Sequence, residues 1–330
     1  MKELIDKKVI SGINCIMAFP GYLLRSDRAL GNPVALSIEP TNVCNLHCPL
    51  CATGSNSLTR PKGYMSLDNF KTIVDMLPNS ITTLYLWGQG EPFMAPDFLR
   101  MVHHASVNGF KTITSTNGHF LDDPYAVVKS GLNVLIVSLD GINADTYASY
   151  RKNGDFHRVI KGIKCLAEEI KKENHGPVIE LQCLATEKNV NQMEAFKSLA
   201  SSIGAHHVIF KTLQALSMKN RASYLPSNLN YTRYRRNAQG NLETDRRWFL
   251  KNRCLRLYYS FQIDWQGNVL PCCFDKDSVY IMGNVFQDSV SKIWNSDKYR
   301  SFRNKLNSMG RVLPMCRDCT EGLKKITLHV

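Results

Sequence analysis

Three cysteines with close, uneven spacing stand out early in the chain. Cys44, Cys48 and Cys51 form a C-x3-C-x2-C pattern directly after a predicted strand. Three thiolates on one loop can bind three irons of a [4Fe–4S] cube, whereas a closed structural zinc site needs four ligands. The pattern therefore predicts a cluster with one open iron, where a ligand such as an amino acid can bind.

Five further cysteines lie near the C-terminal end of the sequence. Cys316 and Cys319 form a C-x2-C pair, which places two sulfurs on one metal site and requires two more ligands. Cys254 and Cys272 can supply them, and the adjacent Cys273 is an alternative to Cys272. A zinc ribbon would use the same four positions. With no convincing secretory signal, the 11 cysteines favour metal or redox chemistry over a disulfide framework.

Short apolar runs alternate with helical periodicity from residue 35 onward. Strands are predicted at 35–39, 82–87, 110–115, 132–138, 178–185 and 207–212. Helices are predicted near 67–77, 95–108, 122–130, 156–173 and 190–203. This alternation predicts a parallel sheet with right-handed crossovers, and six such units suit a partial (β/α)6 barrel better than an eight-stranded one.

Polar residues follow the predicted strands at the ends where parallel sheets bind ligands. They are Gly88, Gln89, Gly90 and Glu91 after the second strand, Thr116 and Asn117 at the third, Ser138 and Asp140 at the fourth, Gln182 on the fifth and Lys211 on the sixth. We therefore expect a cofactor site at this edge of the sheet. No general base is identifiable among these residues.

The cysteine triplet resembles the signature of the radical S-adenosylmethionine (SAM) superfamily. The resemblance implies SAM as a cofactor, cleaved reductively to a 5′-deoxyadenosyl radical. Residues 87–92 resemble the glycine-rich motif that contacts the SAM amino group in that family, with Gln89 where glycine is commoner. Leu50 stands where the family usually has an aromatic residue. The polar residues of the third and fourth strands match positions that contact the ribose and the methionine carboxylate.

The C-terminal cysteines resemble a SPASM domain in its shortened, twitch form. Such a domain holds one auxiliary [4Fe–4S] cluster, so the resemblance implies two clusters per chain. Gly267 predicts a tight turn between short strands at 260–264 and 268–271, and a helix is expected near 289–304. The expected division is an N-terminal helical extension (1–34), the barrel (35–214), a basic bridge (215–253) and the cluster domain (254–330).

The charge balance favours an anionic partner. The formal net charge is +13, and residues 215–256 hold ten Lys or Arg against two acidic side chains. We expect hydrogen abstraction from a small anionic substrate, with the auxiliary cluster assisting a net, dehydrogenase-like oxidation and a flavodoxin or ferredoxin as reductant. A peptide-modifying maturase is the alternative. Only 43 residues precede Cys44, fewer than a peptide-recognition domain needs.

Two further hypotheses concern partners outside enzyme chemistry. Basic residues interleave with aromatic ones in a pattern typical of RNA binding: Arg233, Tyr234, Arg235, Arg236 and Trp248. Under this hypothesis the C-terminal cysteines form a zinc module. At the N-terminus, Ile5, Val9, Ile13 and Met17 recur every fourth residue and predict a helix that packs this face on the main domain. Contact with a membrane surface is the alternative. The protein is expected to be cytoplasmic.

Overall fold

The computed structural model describes residues 2–214, 223–240, 242–244, 253–310, 313–317, 319 and 326–329. The helices are α1 (Lys2–Leu23), α2 (Leu67–Asp75), α3 (Phe98–Val107), α4 (Pro124–Lys129), α5 (Ala144–Tyr150), α6 (Phe156–Glu173), α7 (Met193–Ser202), α8 (Val290–Trp294), α9 (Asp297–Met309) and α10 (Pro314–Arg317). The strands are β1 (Ala35–Ile38), β2 (Thr83–Tyr85), β3 (Lys111–Thr116), β4 (Val134–Ser138), β5 (Val178–Ala185), β6 (His207–Thr212), β7 (Tyr234–Arg236), β8 (Leu242–Thr244), β9 (Ser260–Ile263), β10 (Asn268–Leu270), β11 (Gly283–Asn284) and β12 (Ile326–His329). Short 3-10 helices lie at Pro92–Met94, Val190–Gln192, Leu229–Tyr231 and Leu255–Tyr258.

The chain divides into two compact units. Unit 1 comprises Met1–Val43, Leu58–Ile113 and Arg247–Cys319, and unit 2 comprises Cys44–Ser57, Thr114–Arg246 and Thr320–Val330. In unit 1 the strand order is β11-β10-β9-β1-β2-β3, with β1 parallel to both β9 and β2. In unit 2 the order is β4-β5-β6-β12, with β4, β5 and β6 parallel and β12 antiparallel to β6.

The predicted fold class, a mixed α/β chain with a parallel sheet, is confirmed. All six predicted strands and the five predicted helices between them form, with ends shifted by a few residues. The tight turn at Gly267 is also confirmed, because this glycine adopts a φ of +83° between β9 and β10. The helix expected near 289–304 is instead two helices, since Ser296 caps a new start by accepting a hydrogen bond from Tyr299 N.

Strands β4, β5 and β6 of unit 2 each have one buried face and one less buried face. On β5, Ile179, Leu181 and Cys183 are all 0% exposed, whereas the alternate residues Glu180, Gln182 and Leu184 are half-buried. Helix α6 likewise has one fully buried side, formed by Val159, Ile163 and Leu166. A parallel sheet covered by helices on one face leaves its other face for a ligand. Gln182 and Lys211 lie on that other face.

The predicted packing of the N-terminal helix is wrong. Val9 is 55% exposed, Ile13 is 51% exposed and Met17 is 39% exposed, so this face does not pack on the rest of the chain. The opposite side of α1 packs through small and polar residues instead, including the fully buried Ala18. The helical period of the apolar residues is correct, but the face predicted to pack is wrong. Small side chains let α1 approach the rest of the chain more closely than the branched side chains do.

The basic bridge is described only in part. Tyr234–Arg236 pairs antiparallel with Leu242–Thr244, and Arg233 Nε donates to Thr212 Oγ1 at 2.7 Å. Of the residues that suggested nucleic-acid binding or that make up the basic bridge, several lie outside the described residues: Lys219, Arg221, Arg246, Arg247, Trp248 and Lys251. Among the described residues, no helix has the length and apolarity to cross a bilayer.

Candidate functional site

The three early cysteines surround one apolar cluster in unit 2. Leu46, Cys48, Tyr150 and Leu213 form its buried centre, with Cys48 only 5% exposed. Cys44 and Cys51 pack against this cluster together with Leu50, Leu184, Tyr224 and Leu225. A tight loop follows, in which Cys51 N donates to Cys48 O at 3.1 Å. The structure therefore places all three cysteines at one apolar cluster, with Cys48 buried and Cys44 and Cys51 half-buried.

A fixed amide lies beside Cys44. Asn117 Nδ2 donates to Asn45 Oδ1 at 2.7 Å and lies 3.9 Å from Cys44 Sγ. The amide is held from its other end by His119, whose Nδ1 lies 3.0 Å from Asn117 Oδ1. His119 Nε2 accepts a hydrogen bond from Asp155 N at 2.8 Å, so the ring is neutral with its proton on Nδ1. Burial lowers the pKa of His119 and favours this neutral form.

A buried ion pair lies beside Cys48. Arg151 Nε donates to Asp140 Oδ2 at 2.5 Å, and Arg151 Nη1 lies 3.8 Å from Cys48 Sγ. The second carboxylate oxygen of Asp140 accepts from Leu184 N at 2.7 Å. The Asp140 side chain is 0% exposed, so this predicted cofactor contact is occupied in holding Arg151 and strand β5. Burial raises the pKa of the Cys48 thiol, and Arg151 opposes that shift.

The remaining predicted residues of unit 2 lie on neighbouring strands. Ser138 is directly opposite Gln182 in the β4–β5 register, and Lys211 is opposite Leu184 in the β5–β6 register. Thr116 Oγ1 accepts from Gly118 N at 3.0 Å and so shapes the turn after β3. Asn189 Nδ2 donates hydrogen bonds to the carbonyl oxygens of Asp140 and Leu184, both at 2.9 Å. It therefore links the chain that follows β4 to the end of β5.

In unit 1 the glycine-rich loop is held by a buried ion pair. Both Glu39 oxygens accept hydrogen bonds from Arg60, each at 2.7 Å, and Glu39 Oε2 also accepts from Gln89 N at 2.7 Å. The two side chains are 0% and 5% exposed. Gly88 is required here, because a Cβ at this position would lie 2.5 Å from Glu39 Oε2. The pair therefore fixes the backbone of the loop.

The same loop packs on the residues that lead into the cysteines. Gly90 has a φ of +78°, and a Cβ there would lie 2.6 Å from Val43 O. Glu91 N donates to Val43 O at 2.8 Å, and the Glu91 carboxylate caps the following short helix at Phe93 N. The loop therefore fixes the backbone of Val43, the residue that directly precedes Cys44 in the chain.

The five C-terminal cysteines all lie in unit 1, in two groups. The thiols of Cys272 and Cys273 are side by side, and the hydrogen bond from this neighbour, burial and the nearby Cys254 together raise the pKa of Cys272. Arg256 Nη1 lies 3.9 Å from Cys273 Sγ. Cys319 N donates to Cys316 O at 3.2 Å, which forms the predicted C-x2-C turn. Cys272 and Cys319 are each 7% exposed.

Neither cysteine set forms a site for a single ion. Within the residues described, no three His, Cys, Asp or Glu side chains converge closely enough to bind one metal ion. In a cubane cluster each cysteine binds a different iron, so the thiols surround the cluster instead of meeting at a point. Cys44, Cys48 and Cys51 all belong to or contact one apolar cluster, as ligands of one such iron–sulfur group would.

Sequence reasoning missed four residues that build the site. Glu39 and Arg60 hold the glycine-rich loop, His119 orients Asn117, and Arg151 brings a positive charge to Cys48. Glu39 and Arg60 are 21 positions apart, and Arg151 follows Cys48 by 103 positions. In the sequence, the signal for these residues is a charged side chain among apolar neighbours. This signal does not show which residue, far along the chain, is the partner of that charge.

Comparison with protein families gives two matches that together cover both cysteine sets. The model of the radical SAM superfamily matches residues 38–179. The model of an iron–sulfur cluster-binding domain, SPASM, matches residues 254–320. The first range contains the early cysteine triplet, and the second contains all five later cysteines.

Individual relatives are distant. Mycofactocin maturase MftC of Mycobacterium tuberculosis (strain CDC 1551 / Oshkosh) is 29% identical over 188 residues, covering 56% of this chain and 46% of that protein. This chain thus matches about half the length of the maturase. The tungsten-containing aldehyde ferredoxin oxidoreductase cofactor-modifying protein of Pyrococcus furiosus is 24% identical, covering 86% of each chain.

A solved structure supports the fold over most of the chain. Streptococcus suis SuiB bound to precursor peptide SuiA superposes with a TM-score of 0.62 at 15% identity, covering 89% of this chain and 72% of SuiB. At this identity the likeness concerns the fold alone.

Proposed function

Because the chain belongs to the radical SAM superfamily and carries a SPASM iron–sulfur domain, we propose that it cleaves SAM reductively and abstracts hydrogen from a peptide or protein substrate. When bound, a cluster at Cys44, Cys48 and Cys51 supplies the electron that cleaves SAM into methionine and a 5′-deoxyadenosyl radical. The observation that carries this proposal is the convergence of these three thiols on one buried apolar cluster.

The chain's own residues hold and tune this site. The apolar side chains of Leu46, Tyr150 and Leu213 exclude water from the thiols. Arg151 offsets the negative charge of the thiolates, and Asp140 positions Arg151. Asn117 presents an amide N–H beside Cys44, oriented by His119.

We assign the SAM-contacting surfaces to the strand-end residues. The backbone of Gly88, Gln89 and Gly90, fixed by Glu39 and Arg60, would bind the SAM amino group. Polar contacts to the ribose and the methionine carboxylate would come from Thr116, Asn117 and Ser138, with the buried Asp140 acting through Arg151. Gln182 and Lys211 line the less buried face of the sheet, where substrate or SAM would bind.

A second cluster would be held by Cys254, Cys272, Cys316 and Cys319. The buried Cys272 and Cys319 and the C-x2-C turn support this assignment. An auxiliary cluster there could take up an electron from the substrate radical, so the net reaction would be an oxidation. This makes two [4Fe–4S] clusters per chain, with a small reductant such as flavodoxin or ferredoxin supplying electrons.

Two of the relatives support a peptide as the first candidate substrate, because the mycofactocin protein is named a maturase and SuiB is described with a precursor peptide. The Pyrococcus furiosus relative is instead named a cofactor-modifying protein. A small anionic metabolite is the second candidate, because Lys211 brings a cationic side chain to the less buried face of the sheet. The reaction on either substrate would begin with the same hydrogen abstraction.

The test is iron content and SAM cleavage of the anaerobically reconstituted protein. We expect about eight irons per chain and formation of 5′-deoxyadenosine under strong reductant. Cys44→Ala should abolish cleavage and reduce the iron to about four per chain. Cys165→Ala is the matched control, since this cysteine belongs to neither set and should leave both unchanged. Bound zinc without cleavage would overturn the proposal and revive the RNA-binding hypothesis.

The substrate class has its own measurement. Cell extract is separated into a peptide fraction and a low-mass anionic fraction, and each is added to the reconstituted enzyme with SAM. Faster formation of 5′-deoxyadenosine with the peptide fraction is the expected result. Stimulation by the anionic fraction alone would favour the second candidate.

A further inference from the structure

Helix α1 presents its apolar side outward. Its packed side consists of small, polar and basic residues: Ser11 Oγ lies 3.3 Å from Thr82 Oγ1, Asn14 Oδ1 accepts from Asn32 N at 2.7 Å, and Lys7 Nζ lies 5.4 Å from the centre of the Phe110 ring. Gly21 allows contact with the Tyr258 ring, since a Cβ there would lie 2.9 Å from Tyr258 Cδ1. The helix therefore docks firmly without using its large apolar side chains.

The opposite side, here called the outer face of α1, is strongly apolar. It consists of Val9 (55% exposed), Ile13 (51%), Ile16 (70%), Met17 (39%), Phe19 (47%) and Leu23 (55%). With 3.6 residues per turn, these positions form one continuous strip along the helix. Single exposed apolar residues are ordinary, but a contiguous strip of this kind marks an interaction surface.

The charges around this strip indicate what covers it. Lys8 lies exposed before the strip, and Arg25 and Arg28 lie exposed after it. Asp27 is paired with Arg300 at 2.9 Å, so it does not neutralise them. Over residues 1–8 of the sequence, Lys2, Lys7 and Lys8 outnumber Glu3 and Asp6 by one formal charge. Basic side chains at both ends of an apolar strip complement a surface that is apolar inside and anionic outside.

We propose that the outer face of α1 docks this protein on an anionic lipid bilayer. The helix would lie along the membrane surface, with Ile13, Ile16 and Phe19 among the acyl chains and Lys8, Arg25 and Arg28 at the lipid headgroups. A second copy of the chain is a poorer partner, because two chains of formal charge +13 repel one another. The proposal is independent of the enzymatic function.

The test is cosedimentation of the reconstituted full-length protein with vesicles. Vesicles contain equal parts of phosphatidylglycerol and phosphatidylcholine, with pure phosphatidylcholine for comparison. We expect binding to the anionic vesicles that weakens as salt is raised. Ile16→Asp should lower the partition coefficient at least about tenfold, because it places a charge at the centre of the strip, where an isoleucine would be buried among the acyl chains.

Val279→Asp is the matched control. Val279 is 69% exposed, nearly the same as Ile16, and the substitution changes the net charge by the same amount. It should bind vesicles like the unchanged protein, and both variants should retain full iron content. Equal binding by Ile16→Asp and Val279→Asp would overturn the proposal, as would a wild-type protein that does not bind anionic vesicles.

Sedimentation velocity without lipid separates the membrane from a second copy as the occupant. We expect a monomer at concentrations where vesicle binding is complete. A dimer that Ile16→Asp dissociates, in a protein that ignores vesicles, would overturn the proposal and assign the outer face of α1 to self-association.

Discussion

At the scale of single residues, Arg151 has the most informative position. Its guanidinium lies 3.8 Å from Cys48 Sγ and is bonded to the buried Asp140. A fixed positive charge beside a thiolate ligand stabilises the more negative, reduced form of a cluster. Arg151→Gln should therefore shift the reduction potential of the first cluster to more negative values and slow SAM cleavage on the order of tenfold.

Redox titration monitored by electron paramagnetic resonance measures this shift. Arg158→Gln is the control, because Arg158 pairs with Asp122 at the surface, where its side chain is 47% exposed. That variant should keep the wild-type potential. An unchanged potential in Arg151→Gln would show that Arg151 only supports the fold.

His119 predicts a pH dependence of stability. Burial lowers its pKa in the folded protein below the ordinary value of 6.5. As pH falls below about 6.5, the unfolded chain therefore takes up a proton before the folded chain does, and stability is lost. Between about pH 7.5 and about pH 5.5 we therefore expect a loss of stability that His119→Gln removes. Urea unfolding of both proteins at each pH measures it, and parallel pH profiles would contradict the assignment.

At the scale of elements, the glycine-rich loop depends on a close approach of two backbones. Gly90→Ala would place a Cβ 2.6 Å from Val43 O and force a φ of +78° on alanine. The loop must then move away from the segment that enters Cys44. We expect SAM binding to weaken at least about tenfold, measured by equilibrium dialysis of the reconstituted enzyme.

Gly240→Ala separates this clash from backbone strain alone. Gly240 has the same φ of +78°, but nothing lies within 4 Å of a Cβ at that position. Its substitution should cost about 1–2 kcal/mol of local strain and leave SAM affinity unchanged. Equal losses of affinity in the two variants would disprove the packing argument.

Helices α8 and α9, between Cys273 and Cys316, depend on a buried arginine. Arg303 is 0% exposed, donates to Leu257 O and Trp294 O at 2.9 Å each, and stacks 4.3 Å from the Tyr299 ring centre. Arg303→Met keeps most of the volume but leaves buried carbonyls unpaired. We expect about 2–4 kcal/mol lower stability, measured by urea unfolding followed through tryptophan fluorescence.

Arg300→Met is the control on the same helix. Its ion pair with Asp27 is partly exposed, so its loss should cost less than about 1 kcal/mol. Equal effects of the two substitutions would mean that the buried contacts of Arg303 contribute no more than a surface pair.

At the scale of the whole molecule, the two cysteine sets should load independently. Cys44, Cys48 and Cys51 belong to unit 2, whereas Cys254, Cys272, Cys316 and Cys319 belong to unit 1. Cys319→Ser should lower the iron from about eight to about four per chain while SAM cleavage persists. Loss of both clusters in this variant would show that the sites assemble together.

Local patterns in the sequence were enough to predict the two cysteine sets and the order of the elements. Cys44, Cys48 and Cys51 are close in the chain, so their spacing predicts a shared cluster, and the two family models cover both sets. Apolar periodicity identified β1 to β6 and the helices between them, because each segment's pattern reflects its own burial. Short or non-local elements were missed, namely α5, the hairpin β7–β8, β11, α10 and the antiparallel strand β12.

Only the tertiary structure decided which side chains hold the sites and which face of α1 is covered. The pairs Glu39–Arg60 and Asp140–Arg151 depend on chain segments that meet after folding. On α1, periodicity located an apolar face correctly but predicted its burial wrongly. Small side chains such as Ala18 and Gly21 permit close contact, so the helix packs through them and leaves its isoleucines exposed. A sequence pattern gives the faces of a helix, but contacts decide which face is buried.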